Sequence, residues 1–240
     1  MMRISAKFIA ATVALLFIPA LIAQPAKAVV VQAGDVGASG TTQIQGLIDG
    51  VAIPGLTGSL FLEYDGLSNS GLTWNFDYTV TNTSSGGITS RISSFGLNTT
   101  PNTVSAASTG LYGFAQIPSN GYPGFLPATV ERCFGSSAST CTGGNGLTTG
   151  QSASGEFTLT FANALSSISL DTAFFRFQSI NGNGFDGASG AGFNGPSITP
   201  FIVTTTPLPG AVWLFGSVVA GAGAIAQYRK RRKAKQLAVV

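Results

Sequence analysis

The chain has 240 residues, with 12 Lys or Arg, 9 Asp or Glu, no histidine and a formal net charge of +3. Without histidine there is no Ser-His-Asp triad, no Cys-His dyad, no imidazole general base and no histidine-ligated zinc. The pI near 9.0 does not mark a nucleic-acid binder: between residues 29 and 206 only Arg91, Arg132 and Arg176 stand against all nine carboxylates, a net charge of −6 without a lysine.

The first 28 residues carry the three regions of a secretory signal. Arg3 and Lys7 supply a positive start, and Phe8 to Ala23 is apolar apart from Thr12 and Pro19. Ala26-Lys27-Ala28 places small residues at −3 and −1, so cleavage is expected between Ala28 and Val29. An uncleaved N-terminal anchor is the competing reading, and Pro25 argues against it.

Residues 29–203 are expected to form one domain, rich in Gly, Ser, Thr and Asn, with recurring aromatics that can fill a core. Residues 57–64, TGSLFLEY, read as a strand. Leu72, Trp74, Phe76, Tyr78 and Val80 then alternate strictly with polar residues, the signature of a strand with one buried and one wet face. Residues 82–87, NTSSGG, read as a turn before a strand over 88–95. Residues 96–155 lack a clear period, yet a loop of that length does not belong in a compact domain, so short strands are expected there. Phe157, Leu159 and Phe161 restore period two, and residues 173–178, AFFRFQ, place large groups on both faces, as a central strand does. Residues 181–195 read as a glycine-rich loop and 198–203 as a final strand. The expected architecture is mainly β, a single antiparallel sandwich of jelly-roll type, with helices only at the two ends.

Cys133 and Cys141 are expected to form a disulfide, because an exported domain meets an oxidising compartment. Closing a loop of about nine residues contributes about 2.5 kcal/mol in the chain-entropy account.

The candidates for chemistry are few. Glu63, Asp65 and Asp77 are the carboxylates from which a hydrolase pair could be drawn, against the simpler reading of solvated strand positions. Asn181, Asn183 and Asp186 lie in a stretch resembling a calcium loop, but it has one carboxylate and lacks the closing Glu, so a tight turn is preferred. Gly182 and Gly184 precede neither a helix nor a lysine and so do not read as a phosphate loop. Asn82-Thr83-Ser84 and Asn98-Thr99-Thr100 match the glycosylation sequon. Arg91 and Arg176 interrupt apolar strands, where an arginine commonly meets a carboxylate; gripping an anionic sugar is the alternative. Tyr112 and Tyr122 are the aromatics nominated for stacking on a carbohydrate. No metal and no cofactor is expected.

Residues 204–240 form a separate unit. Pro207, Leu208 and Pro209 set a boundary that a helix cannot cross, and residues 210–226 carry no charge. Arg229, Lys230, Arg231, Arg232, Lys233 and Lys235 follow, a cluster that stays on the cytoplasmic side of a bilayer. As a helix at about 1.5 Å per residue, the apolar segment reaches about 25 Å against a hydrocarbon core of about 30 Å. A permanent anchor is the competing reading, and this short, glycine-containing span suits temporary residence better.

Pro207-Leu208-Pro209, the following Gly-Ala-Val-Trp-Leu-Phe-Gly-Ser and the terminal basic cluster together resemble the PEP-CTERM sorting tail of Gram-negative bacteria in its PLP variant. Leu208 stands where the usual motif has glutamate, which leaves open the exosortase variant that would read it. The resemblance implies export by the secretion machinery, a transmembrane precursor in the inner membrane, processing by an exosortase and release to the cell surface or medium.

Residues 29–206 resemble the cistern family of PEP-CTERM proteins. The matching pieces are Leu47-Ile48-Asp49-Gly50, Ile53-Pro54-Gly55-Leu56, Trp74-Asn75-Phe76, Asn82-Thr83-Ser84, residues 90–96, Cys133-Phe134, Cys141 and residues 175–180. The two terminal signals around a histidine-free acidic β domain point to a non-enzymatic surface or matrix protein, and the resemblance implies an association with exopolysaccharide- or biofilm-producing bacteria. A carbohydrate-binding module is the first alternative and a carboxylate hydrolase the second.

Overall fold

A computed structural model describes residues 28–118, 130–137, 141 and 143–194. The expected signal segment, Tyr122, the strand expected over 198–203 and the whole of the expected sorting tail lie outside these residues. Twelve strands follow in chain order: β1 (Val29–Gln32), β2 (Ser39–Ile48), β3 (Val51–Ser68), β4 (Thr73–Asn82), β5 (Thr89–Thr100), β6 (Ser105–Ser108), β7 (Phe114–Gln116), β8 (Arg132–Gly135), β9 (Leu147–Thr148), β10 (Ser152–Thr160), β11 (Ser167–Gly182) and β12 (Phe185–Phe193). No α-helix is present among the described residues, and so no helix there is long and apolar enough to cross a membrane.

The fold is mainly β and antiparallel, as expected. The strands join in one sheet, in the order β6-β10-β4-β3-β2-β12-β11-β5-β8-β7, with β1 on β11 and β9 on β5. This differs from two separately hydrogen-bonded sheets: the sheet curls until it is nearly closed into a barrel. Its two halves meet through aromatic side chains. Tyr78 of β4 lies 5.0 Å from Phe95 of β5, and Phe157 of β10 lies 5.0 Å from Phe134 of β8, ring centre to ring centre. Twist carries successive strands around by about 20–25° each, and the apolar face is shielded from water only when the curled sheet covers itself.

β4 explains the local logic. Trp74, Phe76, Tyr78 and Val80 are buried, while the residues between them point outward. On the outer face hydroxyls pair across to β10: Thr73 with Thr160 at 3.1 Å, Thr79 with Ser154 at 2.7 Å and Thr81 with Ser152 at 2.8 Å. Cross-strand pairs of this kind stabilise a sheet by about 0.2–1 kcal/mol each, which gives the Ser- and Thr-rich composition a structural use.

β3 runs well beyond the expected 57–64. Pro54 is accommodated because the β2–β3 ladder is interrupted between the pairs Leu47/Ala52 and Gln45/Thr57. A proline lacks the N–H that a regular ladder position needs. The side chain of Gln45 enters this gap and donates to the carbonyls of Ile53 at 2.7 Å and Leu56 at 3.1 Å. Asp49 (φ 51°) and Gly50 (φ 81°) close the hairpin with two left-handed residues, the type I′ arrangement that Asp-Gly favours.

The glycine-rich loop expected over 181–195 is corrected. Asn183 (φ 49°) and Gly184 (φ 90°) make a second tight hairpin turn, and Phe185–Phe193 is strand β12. Its glycines serve close packing: a β-carbon on Gly190 would lie 2.3 Å from the Leu47 carbonyl oxygen, and one on Gly192 would lie 2.5 Å from that of Gln45.

β11 is central, as its two-sided apolar pattern indicates, with β5 and β12 as neighbours. Phe175 and Phe177 enter the main core, whereas Phe174 on the other face joins Val130, Cys133, Cys141 and Ala191 in a smaller cluster. The expected disulfide is present: Cys133 and Cys141 are bonded, with Cα atoms 6.0 Å apart. Ser94 Oγ donates to the Cys141 carbonyl at 2.8 Å, fastening the cluster to β5. The stretch 96–155 holds the end of β5 and the short strands β6 to β9, so the expectation of short strands there is met.

Candidate functional site

The nominated carboxylates come together, but on an open face. Glu63 of β3 lies directly opposite Asp77 of β4, and Asp77 lies directly opposite Glu156 of β10. The three make a row across the outer surface, since the neighbouring Tyr64, Phe76 and Phe157 point inward. Asp65 falls at the irregularity between Tyr64 and Gly66 and has no register partner on β4. A hydrolase pair faces its partner across the scissile bond, about 5–9.5 Å apart. Neighbours standing side by side on one strand face are arranged differently.

The structure assembles another polar group, which sequence reading passed over. Glu131 and the adjacent Arg132, Thr99 at the end of β5 and Thr103 beyond it converge around the cis Thr100–Pro101 peptide. One Glu131 oxygen accepts the Thr99 N–H at 3.0 Å and the Thr99 hydroxyl at 2.9 Å. The other accepts the N–H and the hydroxyl of Thr103. The buried Arg132 donates from Nε to the Thr103 hydroxyl at 2.6 Å and from its terminal nitrogen to the Thr103 carbonyl at 2.8 Å. Burial lowers the pKa of Arg132, and the nearby Glu131 carboxylate opposes that shift. Both oxygens of Glu131 are thus occupied, and the carboxylate acts as a clip that fixes the 99–103 turn. A cavity of about 470 Å³ opens beside it, lined by Asn98, Thr100, Asn102, Ile117, Arg132 and Asp171. Asp171 holds the hydroxyls of Thr100 at 2.6 Å and Ser169 at 2.8 Å.

The tight turn preferred over a calcium loop is what forms, and two other readings change. Asn181 and Asn183 are engaged in the turn itself: Asn181 Oδ1 accepts the Gly187 N–H at 2.8 Å, and Asn183 donates to the Gly86 carbonyl at 3.3 Å. No cluster of three or more acidic, cysteine or histidine ligands occurs among the described residues. Asn82 is not a surface sequon. It is fully buried and donates to the carbonyls of Ser90 at 3.1 Å and Leu147 at 3.0 Å, while its oxygen accepts the Ser84 N–H at 3.1 Å. Tyr112 is not an exposed stacking platform either. It is fully buried, and its hydroxyl donates to the Ile92 carbonyl at 2.8 Å. Arg176 is buried and reaches the Gly190 carbonyl at 3.5 Å.

Arg91 has the most open surroundings of the three described arginines. A terminal nitrogen donates to Ser179 Oγ at 3.2 Å, while the buried Nε has no hydrogen-bond partner. A cavity of about 370 Å³ adjoins it, lined by Thr89, Arg91, Thr148, Thr149, Ser179 and Asn181. Its lining offers hydroxyls, an amide and one guanidinium, and no carboxylate. Sequence reading singles out Arg91, and Asn181 only as part of a calcium-like stretch; Ser179, 88 residues beyond Arg91, is nominated with neither.

No family model, no curated protein and no solved structure matches the chain.

Proposed function

We propose that the protein is an exported, non-enzymatic surface or matrix component of a Gram-negative bacterium, delivered as a membrane-held precursor and processed by an exosortase-type enzyme. The observation that carries the reading is the order of parts after the β domain: Pro207-Leu208-Pro209, the uncharged 210–226, then the basic cluster from Arg229 to Lys235. Two features of the domain support it. The Cys133–Cys141 disulfide suits an oxidising compartment. β1 begins at Val29 and pairs with Leu170 to Ser167 of β11, so cleavage between Ala28 and Val29 would leave every strand among the described residues intact.

The two facing halves of the curled sheet are read as a jelly-roll-like sandwich, and a rigid β body of this kind suits a structural part of an exopolysaccharide matrix. Its engaged polar groups, with Glu131 accepting four hydrogen bonds, favour a structural over a hydrolytic role.

Intact-mass spectrometry of the mature protein tests the reading. A polypeptide beginning at Val29 and lacking the Arg229–Lys235 cluster is expected. A mature protein that keeps that cluster overturns the processing claim.

A further inference from the structure

The ladder between β5 and β11 has three irregularities, one of which lies beside Arg91. Gln178 pairs with Arg91 and the next pair is Asn181 with Thr89, so Ser179 and Ile180 together oppose the single residue Ser90. This is a β-bulge, a device that bends a strand and re-aims a side chain. Ile180 is buried in the core, while Ser179 is exposed at φ 48°, a left-handed conformation that a serine adopts at some energetic cost. The bulge thus places the Ser179 hydroxyl against the Arg91 guanidinium and opens the adjoining cavity toward Asn181.

We infer that this cavity is a binding site for a carboxylate-bearing saccharide, with Arg91 as the carboxylate contact. Three observations converge. A guanidinium carries five donors; one bonds Ser179 Oγ, the Nε is buried, and the terminal nitrogens are left to meet a ligand. An arginine in this state is matched by a planar carboxylate, which accepts two parallel N–H bonds. The rest of the wall carries the Thr89 hydroxyl and the hydroxyls of Thr148 and Thr149, which donate to Gln151 and Ser90 and keep a lone pair to accept from a sugar hydroxyl, while the Asn181 amide already donates to the Ser179 carbonyl and accepts the Gly187 N–H. Finally, the volume of about 370 Å³ falls within the range of about 300–1,000 Å³ typical of small-molecule sites. The surrounding domain is net acidic, so attraction of an anion must come from this local charge rather than from the overall field. With no aromatic platform in its lining, each site binds weakly, and a polymeric uronate gains by engaging many copies at once.

The inference stands on the cavity alone; retention of the C-terminal tail would overturn the sorting proposal and leave this one untouched. The test is calorimetric titration of the full-length protein in detergent with trigalacturonate, with its methyl ester, and with trigalacturonate in the presence of inorganic sulfate. Saturable binding of the acid, at least about tenfold weaker binding of the ester and no displacement by equimolar sulfate are expected. Arg91→Gln should weaken binding at least about tenfold. Thr89→Trp, at an exposed position on the cavity mouth, should do the same with no change in melting temperature, which separates loss of the site from loss of the fold. Absence of saturable binding, equal binding of the ester, displacement by sulfate, or wild-type affinity in both variants would overturn the assignment.

Discussion

The ring of Phe175 lies 2.6 Å from the place where a β-carbon on Gly58 would stand. The two residues belong to β3 and β11, which are not neighbours in the sheet, so the contact crosses the core. Ile92 of β5 crowds the same place, at 2.8 Å. Glycine is needed here for space, because a side chain would have to push apart the two walls of the curled sheet. Gly58→Ala is expected to destabilise the protein by about 1–3 kcal/mol, the usual range for overpacking. Gly58→Val should destabilise it more. A urea titration checks both, and a melting point unchanged by Gly58→Val would show that the walls are not in contact.

Asn82 ties the end of β4 to the segment before β9 through the Leu147 carbonyl. Asn82→Ala removes the acceptor of the Ser84 N–H and leaves buried carbonyls without their donor. A loss of about 1–3 kcal/mol is expected from the unsatisfied groups. The same burial predicts that Asn82 carries no glycan on the folded protein, which peptide mapping of protein from a glycosylating host would reveal.

Asp77 is flanked on both sides by carboxylates, Glu63 and Glu156, in direct register. Like charges directly opposite one another weaken a strand pair. Asp77→Asn should therefore stabilise the protein by about 0.2–1 kcal/mol at low salt. The gain should shrink in 1 M salt, where the screening length is about 3 Å. Asp65→Asn, at a position without a β4 partner, is the control and should have little effect. Calorimetry at two salt concentrations distinguishes the outcomes; a gain independent of salt would mean that repulsion is not its source.

Tyr64 is buried, and its hydroxyl donates to the Ala33 carbonyl at 3.3 Å. Burial pushes its pKa from the ordinary 10.0 up to about 12, with the Asp35 carboxylate adding to the shift. The folded-state pKa is raised, so this contribution is complete below pH 10 and is lost as pH rises through about 12. The protein should lose stability across that alkaline window, and Tyr64→Phe should make the loss shallower. Burial also raises the pKa of Tyr78, so part of the dependence should persist in the variant. Unfolding followed by tyrosine absorbance between pH 9 and 12.5 measures both.

The parts of the fold legible from sequence are those whose signal is local. The alternation of Trp74, Phe76, Tyr78 and Val80 declares a half-buried strand because a side chain on a strand reverses direction at every residue. Phe174 to Phe177 declares a two-sided strand for the same reason. β2 is obscured because its stretch over 39–43, SGTTQ, is small and polar although it pairs residue for residue with β3. β12 resembles a loop because glycines bear no side chain to alternate, and their fitness lies in how closely β2 can approach.

The candidate sites were less legible, because their members are distant in sequence. Arg91 stands out as a charge in an apolar strand, yet its cavity depends on a bulge 88 residues later that no local pattern announces. Glu131 and Arg132 carry no local signal of a site; the pairing of β8 with β5 brings them to Thr99 and Thr103. Composition and periodicity establish an acidic, histidine-free β domain with two cysteines, since counts and alternation are properties of the chain itself. Tertiary structure decides that the strands form one curled sheet, that Asn82 and Tyr112 are interior, and that Arg91 opens onto a hydroxyl-lined cavity. Each of those outcomes rests on pairings between distant segments, where the choice of partner strand and register is made by packing rather than by neighbouring residues.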